Sequence, residues 1–94
     1  MTDETHAEVV HEPDNNRFAV HVDGETSVLD YHLSADKVVF THTGVPTALG
    51  GRGIGSRLVK AGLDWAREQG LRVRPLCPFV SSYIQRHPEY ADLT

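Results

Sequence analysis

The chain has only one cysteine, one methionine and one tryptophan in 94 residues. A single cysteine excludes an intramolecular disulfide framework, and with it the small secreted scaffolds that depend on one. No apolar run approaches the roughly 18 residues that a membrane-spanning helix needs. The opening Met1-Thr2-Asp3-Glu4-Thr5-His6 is polar and acidic, unlike a signal sequence. A cytoplasmic location without membrane attachment is therefore expected. Paired cysteines and an H-E-x-x-H run are missing, and the six histidines are irregularly spaced, so no metal site is expected. A net charge of −4 argues against a general nucleic-acid binder. With 39% apolar residues the chain can build one modest core. The expectation is a single domain over residues 7–94, a disordered or frayed segment at 1–6, and a monomer or weak homodimer.

What the chain does have is a concentration of glycine. Gly50-Gly51-Arg52-Gly53-Ile54-Gly55 places four glycines in six positions. Glycine loses more backbone entropy on folding than any other residue, so this run is not there for stability. It permits turns with positive φ and close approach of the backbone to another molecule. Ile54, Leu58, Gly62 and Trp65/Ala66 then step along one helical face. A glycine turn at a helix N-terminus presents unpaired N–H groups and the positive end of the helix dipole, which together favour an anion, most often phosphate. The dinucleotide pattern G-x-G-x-x-G fails at Ser56, and the P-loop pattern fails at Ser56-Arg57. A surface turn without a ligand is the alternative. Charge is uneven: residues 1–49 hold nine acidic residues against Arg17 and Lys37, whereas residues 50–94 hold seven basic residues against four acidic. The basic half carries the glycine run, as a small polyanionic ligand would require; a solvated helix face would look the same.

The chain begins with a short strand, Ala7 to His11, and a turn at Pro13-Asp14-Asn15-Asn16. Arg17 to Val22 alternates, with Phe18, Val20 and Val22 on one face. Asp23-Gly24 is a two-residue hairpin signal. Glu25 to Leu33 forms the third strand, with Leu29, Tyr31 and Leu33 on one face, and Ser34-Ala35-Asp36 turns into a fourth, Lys37 to Val45. The helix after the glycines ends near Gln69 with Gly70 as its cap. Leu71 to Leu76 is a fifth strand, expected parallel to the fourth. A short helix from Pro78 through Arg86 is stopped by His87-Pro88. The fold class is α+β: a four-strand antiparallel meander, a helix, a parallel fifth strand and a short C-terminal helix.

This order, with Val45-Pro46, Gly51-Arg52-Gly53-Ile54-Gly55, Cys77-Pro78-Phe79-Val80 and His87-Pro88-Glu89-Tyr90, resembles the GNAT-type (Gcn-five-related) N-acetyltransferases, and within them a minimal subgroup of about one hundred residues. The resemblance covers roughly residues 7–94. It implies acetyl-CoA or coenzyme A as ligand, its pyrophosphate held by backbone N–H groups through the family pattern [Q/R]-x-x-G-x-[G/A]. Gly53 and Gly55 match the two small positions. Gly50 stands where Gln or Arg is expected, so Arg52 or Arg57 is the candidate substitute. The implied cofactor residues are Val45, Gly50, Gly51, Arg52, Gly53, Ile54, Gly55, Ser56 and Arg57, with Val45 offering backbone groups to the pantetheine arm. Helices that build the acceptor site in larger members are absent between the first two strands, and so is a C-terminal strand hairpin. The acceptor, small molecule or protein, stays unnamed.

Acyl transfer from a thioester to an amine requires a deprotonated amine, a stabilised carbonyl oxygen and a reprotonated thiolate. His42 is the candidate base, and strand parity with Val38 and Phe40 would turn it to the apolar side unless a bulge intervenes. The alternative is a packed histidine. Cys77 would cap the last helix, where the N-terminus lowers a thiol pKa and Arg74 adds to the effect, making an acyl-cysteine conceivable. A small buried thiol is the alternative. The resemblance offers Tyr83 as proton donor to the coenzyme thiolate; otherwise it is a core aromatic beside Ile84. Trp65 reads as core or interface, not as a ligand contact. The functional expectation is a small acyl-CoA-dependent N-acyltransferase, and the rival is a non-catalytic coenzyme A-binding sensor or interaction module.

Overall fold

The computed structural model describes residues 7–94, so the expectation for residues 1–6 lies outside the described residues. Five strands form one sheet in the order β1-β2-β3-β4-β5. They are β1 (Val10–Glu12), β2 (Arg17–Val22), β3 (Glu25–Ser34), β4 (Lys37–Gly44) and β5 (Arg72–Pro75). The first three junctions are antiparallel and β4 pairs parallel with β5. Helix α1 (Ile54–Gln69) joins β4 to β5, and α2 (Pro78–Arg86) follows. The expected α+β architecture is therefore found. Its first strand starts later than expected, at Val10.

Turn chemistry fixes the meander. Asp23 (φ 53°) and Gly24 (φ 75°) both take positive φ between paired Val22 and Glu25, the two-residue hairpin geometry that matches strand twist. Phe18, Val20, Val22, Leu29, Tyr31, Val38, Phe40 and Val73 project from one face and form a single cluster with Ile54, Leu58, Val59, Leu63 and Ala66 of α1. Leu33 shares the strand parity of Leu29 and Tyr31 but stands at the strand's end, 46% exposed. On the opposite face His21, His32, Arg72 and Arg74 are exposed. Helices thus cover the sheet from one side. Trp65 is a core residue, its ring 5.6 Å from Phe18, 5.2 Å from Tyr31 and 4.9 Å from His11. Burial lowers the pKa of His11, whose Nε2 lies 2.7 Å from the Tyr31 hydroxyl.

One register shift decides where the functional candidates point. Tyr31 pairs with Phe40 but Asp30 pairs with His42, so Thr41 is an extra residue in β4. The bulge leaves both Thr41 and His42 exposed and brings Thr43 back to the covered face, opposite Leu29. His42 therefore does not face the apolar side, as simple alternation requires.

Helix α2 does not end the chain's structure. After His87 a 3-10 turn, Pro88–Leu93, folds back and buries Tyr90 and Leu93. The Tyr90 hydroxyl donates to Asp64 at 2.7 Å, and Arg67 grips both Asp92 carboxylate oxygens at 2.9 Å while donating to the Glu89 carbonyl. Burial, then the bond to the Asp64 carboxylate, pushes Tyr90 up to about 12. A raised phenol pKa adds stability that is fully present below its usual value near 10 and lost as pH rises through the folded value. Thermal unfolding should accordingly be insensitive to this group below pH 10, and the midpoint should fall between about pH 10 and 12. In Tyr90→Phe that component of the fall disappears, at a cost of about 1 kcal/mol at neutral pH.

Gly62 marks the closest approach of α1 to the sheet. A Cβ there would lie 2.8 Å from Leu29 Cδ2 and 3.1 Å from the Phe40 ring. Alanine gains about 1 kcal/mol of helix propensity over glycine but overpacking costs about 1–3 kcal/mol. Urea denaturation of Gly62→Ala should show a net loss of about 1 kcal/mol; a gain would mean the interface is slack.

Candidate functional site

Strands β4 and β5 run side by side only from Lys37↔Arg72 to Phe40↔Pro75. The Leu76 N–H, next in line to reach β4, turns back to the Arg74 carbonyl at 3.2 Å. The Cys77 N–H turns back to the Phe40 carbonyl at 3.0 Å, and the two chains separate. β4 continues to Gly44 without β5 beside it. The site lies at this divergence and in the glycine turn that follows.

After Val45-Pro46, a 3-10 turn (Thr47–Leu49) buries Leu49 and delivers the chain to the glycines. Gly51 (φ 81°) and Gly53 (φ 74°) adopt the left-handed conformation that side chains resist, so the run is required locally. Gly53 is the N-cap of α1 and supplies no side-chain cap. The first helical bond is from the Arg57 N–H to the Gly53 carbonyl at 3.1 Å, which leaves the N–H groups of Ile54, Gly55 and Ser56 outside the ladder. The preceding turn uses only the Leu49 and Gly50 N–H groups. A cleft of about 270 Å³ opens here, lined by Val45, Leu49, Gly50, Gly51, Gly53, Ile54, Gly55, Ser56 and Phe79. The cleft leaves the turn open on one side, while the Phe79 ring lies over Gly55. The turn's amides and the positive end of α1 suit an anionic group.

Seven of the nine cofactor residues expected from sequence meet in this cleft; the two arginines do not line it. Arg52 Nη1 stands 4.0 Å from Asp23 in the β2–β3 turn. Arg57 donates to the Ala7 carbonyl and borders a second depression with Val9, Lys60, Ala61 and Asp64. Leu49 and Phe79 are the lining residues that sequence reasoning did not count in the site, and Phe79 reaches it from α2. Its ring covers Gly55, where a Cβ would lie 2.8 Å from Phe79 Cζ.

Cys77 is 6% exposed at the start of α2, with Sγ 3.4 Å from Thr43 Oγ1. Burial pushes this thiol up, but the Thr43 hydroxyl and the N–H groups of Val80, Phe79 and Thr43 outweigh it, so the pKa falls below the ordinary value. The expected contribution of Arg74 is not among these causes; Arg74 pairs with Val39 and is exposed. His42 stands exposed beside Gly44, where a Cβ would come 3.0 Å from its Nε2. Tyr83 lies one turn beyond Phe79 on α2, stacked on His87 at 4.1 Å and outside the cleft lining. Burial raises its pKa, so it keeps its proton at neutral pH. Among the described residues no group of His, Cys, Asp and Glu could hold a metal ion. No helix of the described chain is long and apolar enough to cross a membrane.

A family model described as GCN5-related N-acetyl-transferase matches residues 17–93. The chain is 34% identical over 83 residues to Protein NATD1 of Mus musculus, spanning 85% of this chain and 76% of that one. Similarity to Protein NATD1 of Danio rerio is 30% over 93 residues, spanning 94% and 84%. Among solved structures, the fold resembles the NMR solution structure of a GCN5-like protein from Staphylococcus aureus, with a TM-score of 0.74 and 28% identity over 93% of this chain and 86% of that chain.

The left-handed turn is testable without a ligand. Gly53→Ala should lose about 1–2 kcal/mol in chemical denaturation, and Gly53→Asn should lose less because asparagine tolerates this conformation. Equal losses would mean that space, and not φ, constrains the position.

Proposed function

The chain belongs to the GCN5-related N-acetyltransferase family, and from that premise we propose that it is a small acyl-CoA-dependent N-acyltransferase with acetyl-CoA as donor. The observation that carries this reading is the glycine turn at the start of α1, where the N–H groups of Ile54, Gly55 and Ser56 stand outside the helical ladder and their residues line a cleft. The Gly51–Ser56 amides hold the pyrophosphate, and the Val45 backbone meets the pantetheine arm where β4 has no neighbour. Bound there, the donor supplies an activated thioester. The two arginines contribute field and turn anchoring in place of the side-chain contact that Gly50 lacks.

Cys77 is the nucleophile in this reading. Its proton is released to solvent, Sγ bonds to the acyl carbon as the bond to the coenzyme sulfur breaks, and the departing thiolate takes a proton from solvent or from Tyr83. An amine then takes the acyl group from Cys77, losing its own proton through His42, and the thiolate is restored. His42 acts from the exposed side of the divergence, which is the side an amine approaches. The acceptor is an amine that enters an open face.

Calorimetric titration with coenzyme A should give saturable binding, weakened in Gly53→Ala beyond its stability loss. Thioester turnover should fall about 100-fold or more in Cys77→Ser and in His42→Ala, and less in Tyr83→Phe. Binding with unchanged turnover in all three variants would leave a coenzyme A-binding module; absence of binding would remove both readings.

A further inference from the structure

We infer that Thr43 is the positioning residue that activates Cys77, in the role that a histidine base usually fills beside a nucleophilic cysteine. This rests on the nucleophilic reading of Cys77 given above. Two features bring the residues together across the divergence. The extra residue in β4 turns Thr43 to the covered face, and the Cys77 N–H bond to the Phe40 carbonyl fixes the start of α2 against the same strand. The result is a contact of 3.4 Å between Oγ1 and Sγ.

The direction of that bond matters. With a neutral thiol either group can donate. With a thiolate only the Thr43 hydroxyl can donate, and a hydrogen bond to a charged acceptor is the stronger kind. The contact therefore favours the ionised form, and the N–H groups of Val80 and Phe79 at the helix start act in the same sense. Threonine is stiff at χ1 on a strand, so its hydroxyl stays aimed.

Among the described residues no charged side chain takes this part. On β4 the nearest titratable group, His42, is exposed on the other face; on β5 Arg74 is exposed beside Val39. On α2 Tyr83 faces Lys60 and Asp64 of α1 and Glu89 of the C-terminal turn. Cys77 thus depends on a hydroxyl and on amides, which do not titrate in the working range. Once the thiol is ionised, its reactivity should be level with pH, without the second ionisation that a Cys–His pair shows.

The single cysteine makes the test direct. Thiolate ultraviolet absorbance is followed against pH in the full chain, with Cys77→Ser as the blank and circular dichroism to confirm folding. Thr43→Val, which keeps the shape and removes the hydroxyl, should raise the thiol's apparent pKa by about one unit, leaving about tenfold less thiolate at neutral pH. Thr43→Ser should restore the wild-type curve. The acylation limb of the turnover pH profile should move with the same variant. An unchanged thiolate curve in folded Thr43→Val overturns the assignment, as does a shift that Thr43→Ser fails to reverse. Full turnover in Cys77→Ser would instead overturn the nucleophile reading, while a shifted curve in Thr43→Val would still establish the contact. The two failures are therefore distinguishable.

Discussion

The structure depends on the point at which β4 and β5 stop pairing. A parallel ladder is self-propagating while both strands aim N–H and C=O groups at each other, and it ends here because the Leu76 N–H turns back to the Arg74 carbonyl at 3.2 Å instead of reaching β4. Cys77 then supplies the bond that the ladder would have used, to the Phe40 carbonyl, and α2 begins at once with Pro78 in its first turn. The same few residues therefore end a strand, open a gap beside β4 and aim a helix N-terminus at it. In the reading proposed here, donor site and nucleophile are two consequences of this one interruption.

Charge plays a smaller part than its distribution along the chain suggests. Arg67 is committed to Asp92 and Glu89, Arg72 to the Thr94 carbonyl, Lys60 to Asp64, and Arg57 to the Ala7 carbonyl. Four of the seven basic residues after residue 50 are thus structural: Arg57 and Arg67 tie α1 to Ala7 and to the C-terminal turn, Lys60 pairs within α1, and Arg72 ties β5 to Thr94. Among the described residues no lysine or arginine lines the cleft, which is walled by the glycine turn, the start of α1, Val45, Leu49 and Phe79. N–H dipoles fixed by a left-handed turn need no reorganisation when an anion arrives, and they discriminate by geometry.

Much of this was legible in the sequence, because each signal had a local cause. Asp23-Gly24 has one low-energy hairpin geometry, α1 has an unbroken apolar stripe ended by Gly70 in the left-handed conformation, and Pro78 can only sit at a helix start. The glycine cleft was legible for the same reason. The orientation of His42 was not. Strand parity propagates from Val38 and Phe40 until the extra residue at Thr41 reverses it, and nothing in Phe-Thr-His-Thr marks a bulge. That one residue exchanges the roles of His42 and Thr43. Phe79 escaped for a different reason, since its contact with Gly55 joins residues far apart in sequence. The C-terminal turn escaped because its stability comes from Asp64 and Arg67 on another helix, although Tyr90 stood among the residues that carried the family resemblance.

The turn also bears on how so short a chain can hold a site. Covering one side of a five-strand sheet with two helices leaves little burial to fix the second helix, which spans only nine residues. Helix α2 meets α1 through Phe79 over Gly55 near one end and through Tyr83, Tyr90 and Asp64 toward the other. Contacts thus hold α2 at both ends, and the Cys77 N–H bond to the Phe40 carbonyl ties its start to β4. A site that needs sub-ångström placement is better served by such anchoring than by a larger but looser core. In the proposed reading, the C-terminal turn serves the placement of Cys77 as well as the fold, through its bonds to Asp64 and Arg67 of α1.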